Sequence, residues 1–250
     1  MKIAAKILSS ILRFFLSFVF VLSFSSLIVA WILADFSQEE NIKHLLTETF
    51  YQSLKKQWDA YEEEEIKNSV LGLCANKESI QMPLGDKVIR IYCKDLSAST
   101  DFSRFIAESA AKSFYEAEYN CQFIECLNEA KYDVLISKKG DEFYTKALTS
   151  LIITSAVSGL AFFTLEEGNI SKRIRGVALL ILLVCLPALS INFLIEPIKQ
   201  RFISHSEMID NIVEKLLEIA FKKYLITFIL GFSLLVASIF LWLIERAKKY

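Results

Sequence analysis

The chain has 250 residues, 54% of them hydrophobic, with 20 phenylalanines and a mean hydropathy of +0.39. That balance excludes an ordinary water-soluble domain. A formal net charge of −1 from 28 basic and 29 acidic residues, with no basic stripe among them, speaks against a nucleic-acid binder.

Residues 1–13 form a short N-terminus carrying Lys2, Lys6 and Arg13. Residues 14–34 (FFLSFVFVLSFSSLIVAWILA) contain no charged side chain; at about 1.5 Å rise per residue, such a run spans a hydrocarbon core of about 30 Å as a helix. The run exceeds the usual core of a cleaved signal peptide, and Ala30 and Ala34 lack the small partner residue a cleavage site needs. It is therefore expected to remain as the first transmembrane helix. Three further runs read the same way: 147–165, 176–195 and 224–244.

Residues 35–146 make the first long polar segment. No glycine or proline occurs between the first apolar run and Gly72. Apolar residues recur at helical spacing through Ile42, Leu45, Leu46, Phe50, Leu54, Trp58 and Tyr61, which predicts one continuous rod with the first membrane helix. A turn centred on Pro83, Leu84 and Gly85, followed by Val88, Ile89, Ile91 and Tyr92, predicts a small β-hairpin. From Asp101 the helical period returns through Phe102, Phe105, Ile106, Ala110, Phe114 and Ala117, with Ser99, Thr100 or Asp101 as N-cap. Residues 166–175 form a short loop. Residues 196–223 form a second polar segment with an apolar stripe at Ile198, Phe202, Ile209, Ile212, Leu216, Ile219 and Ala220, whose simplest partner is the stripe of the first segment. Residues 245–250 close the chain.

Orientation follows from basic residues at the helix ends. Lys2, Lys6, Arg13, Lys172, Arg173, Arg175, Arg246, Lys248 and Lys249 act as topology anchors if both termini and the 166–175 loop are cytoplasmic. Those nine basic residues face only Glu166, Glu167 and Glu245, while the rest of the chain carries nineteen basic and twenty-six acidic residues, net −7.

Four cysteines, Cys74, Cys93, Cys121 and Cys126, then lie on the oxidising side, and the fifth, Cys185, lies inside the third apolar run. Two structural disulfides are expected there. The spacing does not resemble the paired knuckles of a zinc site. Three pairings are open; Cys74 with Cys93 and Cys121 with Cys126 is favoured. Five positions along an ideal helix put Cys121 and Cys126 on different faces. Their pairing therefore needs the helix to break between them.

The four runs hold no ionisable group of the kind that marks a transport path. Ser155 and Gly159, Thr154 and Ser158, and Ser233 and Ala237 are small-residue pairs suited to helix packing, and Pro187 is a candidate kink. His44 and His205, the only histidines, could meet if the two outer segments pair. Glu62 to Glu65 read as a solvated face. The chain lacks the second tryptophan of claudin-like four-pass proteins and the Cys-x-x-Cys pair of quinone-linked disulfide-forming membrane proteins, and it fits neither family. No phosphate loop, nucleophile elbow or paired-histidine motif is present.

The sequence thus predicts an all-α integral membrane protein with four transmembrane helices. Its extracytoplasmic domain is mainly helical, disulfide-braced, and contains a small β-hairpin. Plasma-membrane residence is expected, with a binding or scaffold role and no cofactor. Expected partners are the lipid bilayer and a protein partner or further copies of the chain, with no nucleic acid. A thiol-disulfide oxidoreductase using Cys121 and Cys126, and an oligomeric channel, are the alternatives.

Overall fold

The computed structural model describes the backbone of residues 2–58, 60–75, 77–84, 87–98, 101–129, 131–202 and 207–248. Side chains are described for residues 7–58, 62–75, 77–82, 88–96, 101–129, 131–186 and 212–248. The elements in order are α1 (Lys2–Phe36), α2 (Glu39–Gln57), α3 (Ala60–Cys74), β1 (Ser79–Leu84), β2 (Lys87–Tyr92), α4 (Cys93–Ala98), α5 (Phe102–Tyr115) and α6 (Phe123–Asn128). A 3-10 turn at Tyr132–Ile136 follows, then α7 (Lys138–Leu165), α8 (Ile170–Phe202) and α9 (Glu207–Ala247). They form two compact units, one of Met1–Ala34, Tyr144–Ser206 and Val213–Tyr250, the other of Asp35–Phe143 with Glu207–Ile212.

The first unit is built from long apolar helices. Gly159 of α7 admits the Phe20 ring of α1 so closely that a Cβ there would lie 2.9 Å from it, and the hydroxyls of Ser23 and Ser158 approach to 3.5 Å. Gly176 of α8 receives Phe162 of α7, and Gly231 of α9 receives Ile181 and Leu182 of α8. Lys223 of α9 stands 4.3 Å from the Trp31 ring centroid of α1, closing the circuit. Successive helices therefore run antiparallel, joined through small residues as apolar helices in a bilayer tend to be.

Three stretches, Ile7–Phe36, Lys138–Leu165 and Ile212–Ala247, are long and apolar enough to cross a membrane. Their outer faces stay uncovered: Phe14 is 74% exposed, Leu160 66% and Phe240 62%. So much bare apolar surface calls for lipid rather than water. The expected third span, 176–195, falls within the continuous helix α8, but its side chains from Pro187 onward, including the candidate kink, lie outside the described residues.

The second unit corrects two expectations. The predicted continuous rod is two helices, because α1 ends at Phe36 and α2 begins at Glu39. Side chains take over the backbone there: Asn41 Nδ2 donates to Asp35 O at 2.7 Å and buried Ser37 donates to Asp141 Oδ1 at 3.2 Å, an alternative to helix that short polar side chains offer. A second break at Trp58, extended at ψ 126°, separates α2 from α3. The buried stripe of α2, with Ile42, Leu46 and Leu54, packs along α5; of the second outer stripe, the side chains of Ile198, Phe202 and Ile209 lie outside the described residues. Lys43 meets Glu116 at 3.7 Å at one end, and Trp58 stacks on Phe102 at the other, so the pair is antiparallel.

The hairpin turn also moves. Pro83 sits inside β1 opposite Val88, and the turn residues 85 and 86 lie outside the described residues. Cys93 N donates to Glu78 O at 3.0 Å just beyond the last paired residues. Counting back from there in an alternating antiparallel ladder puts Pro83 opposite Val88 at a non-hydrogen-bonded position, where a missing N–H costs nothing.

The inward residues Ile80, Ile89 and Ile91 meet Leu54, Val70, Leu96, Phe102, Ile106 and Ala110 in one core. Asp101 caps α5 by accepting from Arg104 N at 2.9 Å.

Candidate functional site

The two disulfides pin the edges of that core. Cys74 at the end of α3 pairs with Cys93 at the start of α4, Cα atoms 5.4 Å apart, tying both ends of the hairpin to the helices around it. Cys121 pairs with Cys126 at 5.3 Å. The pairing is possible because α6 starts only at Phe123, which leaves Cys121 on the loop before it. Glu125 reaches back to accept from Gln122 N at 3.0 Å, fixing that helix start. Lys139, in the first turn of α7, donates to the carbonyls of Tyr119 and Cys121, and Phe123 stacks on Phe143 with centroids 4.1 Å apart. Cys126 is fully buried and Cys121 6% exposed, whereas a disulfide that exchanges with a substrate has to be reached by its thiolate.

Beside this braced loop lies a groove of about 800 Å³. Phe50 and Leu54 of α2, Val88 and Ile89 of β2, and Ala110 and Phe114 of α5 form its apolar lining. Ser53, Gln57 and Ser113 add neutral polar groups, and Glu118, Tyr119 and Asp133 line it beyond the C-terminal end of α5. Local chemistry explains each contribution. The α2 residues occupy successive turns of one helix face, and Val88, 59% exposed, sits where the twisted hairpin leaves the helices. The Arg90 backbone N–H, on the same outer edge of β2, donates to Ser113 Oγ at 3.3 Å, so α5 covers part of that edge. Burial, reinforced by Asp133, pushes the Tyr119 phenol well above its ordinary range. It stays neutral, leaving Glu118 and Asp133 as the charged groups of the lining.

Sequence reasoning missed this groove. Its apolar residues come from three elements whose juxtaposition depends on α2 pairing with α5, and the only signal was the doubled aromatic–aliphatic period of those two segments.

Glu63 was also missed. It accepts from Lys55 Nζ at 2.8 Å and from Ser103 N at 3.1 Å, so one member of the acidic run supplements the Asp101 cap. Burial raises its pKa, but these bonds outweigh it and hold the carboxyl below the usual range. His44 is exposed on α2, and His205 lies outside the described residues. Among the described residues no three metal-ligating side chains gather.

The basic residues expected to act as topology anchors differ in their surroundings. Arg13 bonds Glu167 at 3.1 Å and nears Glu166 at 3.9 Å, and Lys172 reaches Glu166 at 4.0 Å. Arg173 stacks over Phe163 and Arg246 over Trp242. Arg175 lines a small groove of the first unit. Lys248, just after α9, is exposed; the side chains of Lys2, Lys6 and Lys249 lie outside those described. No family model, curated protein or solved structure matches the chain.

Proposed function

We propose that the chain is a plasma-membrane protein with four spans and cytoplasmic termini. Its disulfide-braced unit faces outward and binds a segment of a partner protein in the groove between α2, β2 and α5. The groove is the observation that carries this reading: apolar side chains from three elements, bounded by Glu118 and Asp133, in a segment (35–146) with twenty-one acidic and fourteen basic residues. A complementary occupant presents apolar side chains with basic residues beside them, and its affinity falls with salt.

Two observations support the orientation. Within the first unit, Arg13, Glu166, Glu167, Asn169, Ser171 and Glu245 are linked at one end, Asn169 and Ser171 both donating to Glu245 at 3.0 Å. Trp31 and Lys223 meet at the other. From Arg13 to Trp31 the helix advances about 27 Å at about 1.5 Å per residue, close to the thickness of a bilayer core. Both disulfides suit the oxidising side.

Photocrosslinking in living cells tests the reading, with the photoreactive residue placed at Gln57 in the groove or at exposed Leu73 on α3. A discrete adduct from Gln57 alone, lost when the groove is filled by Ala117→Trp at another of its lining residues, is expected. Equal adducts from both positions, or none from Gln57, overturn the proposal. An adduct containing a second copy of the chain replaces the foreign partner with self-association.

A further inference from the structure

We propose that the first unit holds a phospholipid in a groove between α8 and α9, its phosphate on Arg175 and one acyl chain along Leu235, Ile239 and Trp242. This site rests on the membrane-spanning reading.

The groove measures about 340 Å³ and is lined by those four residues. Leu235, Ile239 and Trp242 follow one another at four- and three-residue spacing, so they form a single stripe on α9, with Ile239 43% and Trp242 42% exposed. Arg175 stands in the second turn of α8. Its Nε is buried and has no acceptor among the described residues.

The carboxylate nearest in sequence space to this end of α9, Glu245, instead accepts from Asn169 and Ser171. A second cation, Arg246, stacks on Trp242 at 5.4 Å from the ring centroid. Two guanidinium groups thus flank an apolar stripe at the end of the helices where charged side chains begin. An aromatic residue paired with a cation at that level marks the bilayer interface.

A buried guanidinium N–H lacking a protein acceptor needs one from outside. A phosphodiester supplies oxygens matched to the guanidinium fork, and only a lipid brings with it an acyl chain to cover the adjoining stripe. Headgroups with net negative charge are preferred, because Arg175 and Arg246 put two cations at the site while Glu245 is engaged by Asn169 and Ser171.

The test uses the full-length protein in nanodiscs of phosphatidylcholine containing a minority of phosphatidylglycerol, followed by native mass spectrometry after transfer to detergent. Wild type is expected to retain one phosphatidylglycerol in preference to phosphatidylcholine. Arg175→Gln should lower that retention about tenfold, the scale of one charge-assisted contact. Ile239→Trp, which fills the stripe, should lower it with the charges intact.

Arg173→Gln removes the same charge two residues away without touching the groove and should leave retention unchanged. Equal loss from Arg173→Gln, no retained lipid in wild type, or displacement by inorganic phosphate alone overturns the site. Alkaline carbonate washing of membranes separates the two failures. A chain released by carbonate overturns the spanning reading itself, whereas a chain that stays embedded yet retains no lipid overturns the lipid site only.

Discussion

The hydroxyl of Ser37 donates to Asp141 Oδ1 at 3.2 Å, joining the break between α1 and α2 to the first turn of α7. Tyr115, at the end of α5, approaches the other carboxylate oxygen at 3.5 Å. One carboxylate therefore gathers three elements that lie far apart in sequence. Ser37→Ala should cost about 1 kcal/mol and Asp141→Ala about 2 kcal/mol, since the latter removes an acceptor shared by two buried hydroxyls. Denaturant unfolding of the purified protein measures both, and equal small effects would contradict the shared-acceptor account.

Tyr115 makes the same cluster sensitive to alkali. Burial first, then the charges of Asp141 and Glu39 and the bond to Asp141, push its phenol from 10.0 up to about 12. A raised folded-state pKa stabilises fully below the unfolded value and is lost as pH rises through the folded one. Stability should therefore fall between pH about 10 and about 12. Tyr115→Phe should flatten part of that fall, as followed by unfolding and by tyrosinate absorbance.

Glu63 works in the opposite direction. Its lowered pKa means that its contribution is present above the ordinary carboxylate value and disappears as pH falls through the folded value. Glu63→Gln should cost about 1 kcal/mol at neutral pH, as loss of a helix cap does, and the difference from wild type should vanish in acid. Lys55 is 40% exposed, so water screens its ion pair. Lys55→Met should accordingly cost less than Glu63→Gln.

The disulfides should differ in weight. Closing a loop of sequence separation 19 limits the unfolded chain more than closing one of separation 5. The chain-entropy estimate is about 3 kcal/mol for Cys74–Cys93 and about 2 kcal/mol for Cys121–Cys126. Paired serine substitutions, compared by denaturant unfolding, test the order.

Gly140 shows a close approach that the sequence did not announce. A Cβ there would lie 2.6 Å from Val134 O and 2.8 Å from Leu135 O, both backbone atoms that cannot swing aside. Gly140→Ala should cost about 2 kcal/mol, in the range of overpacked substitutions.

Helix content, the hairpin and three of the four apolar runs were legible because each rests on the composition or periodicity of one segment. The α1–α2 break was not. Phe36, Ser37 and Gln38 contain no glycine or proline, and one partner of the break, Asp141, lies more than a hundred residues away. The pairing of α2 with α5 was likewise hidden, since two amphipathic stripes on one chain do not say which third stripe each prefers. The groove inherits that difficulty, and so does Glu63, which looks like its three acidic neighbours until Ser103 is brought to it. Pro83 misled through its turn propensity, because a strand tolerates proline where no ladder bond is needed.

Cysteine labelling with a membrane-impermeant maleimide tests the central claim most directly, using Glu78→Cys in the braced unit and Lys172→Cys in the 166–175 segment, each in a Cys185→Ala background. Both positions are exposed in the structure. The account predicts that Glu78→Cys labels in intact cells and Lys172→Cys only after permeabilisation. The reverse pattern, or equal labelling of both in intact cells, would contradict an outward binding unit carried on spans with cytoplasmic ends.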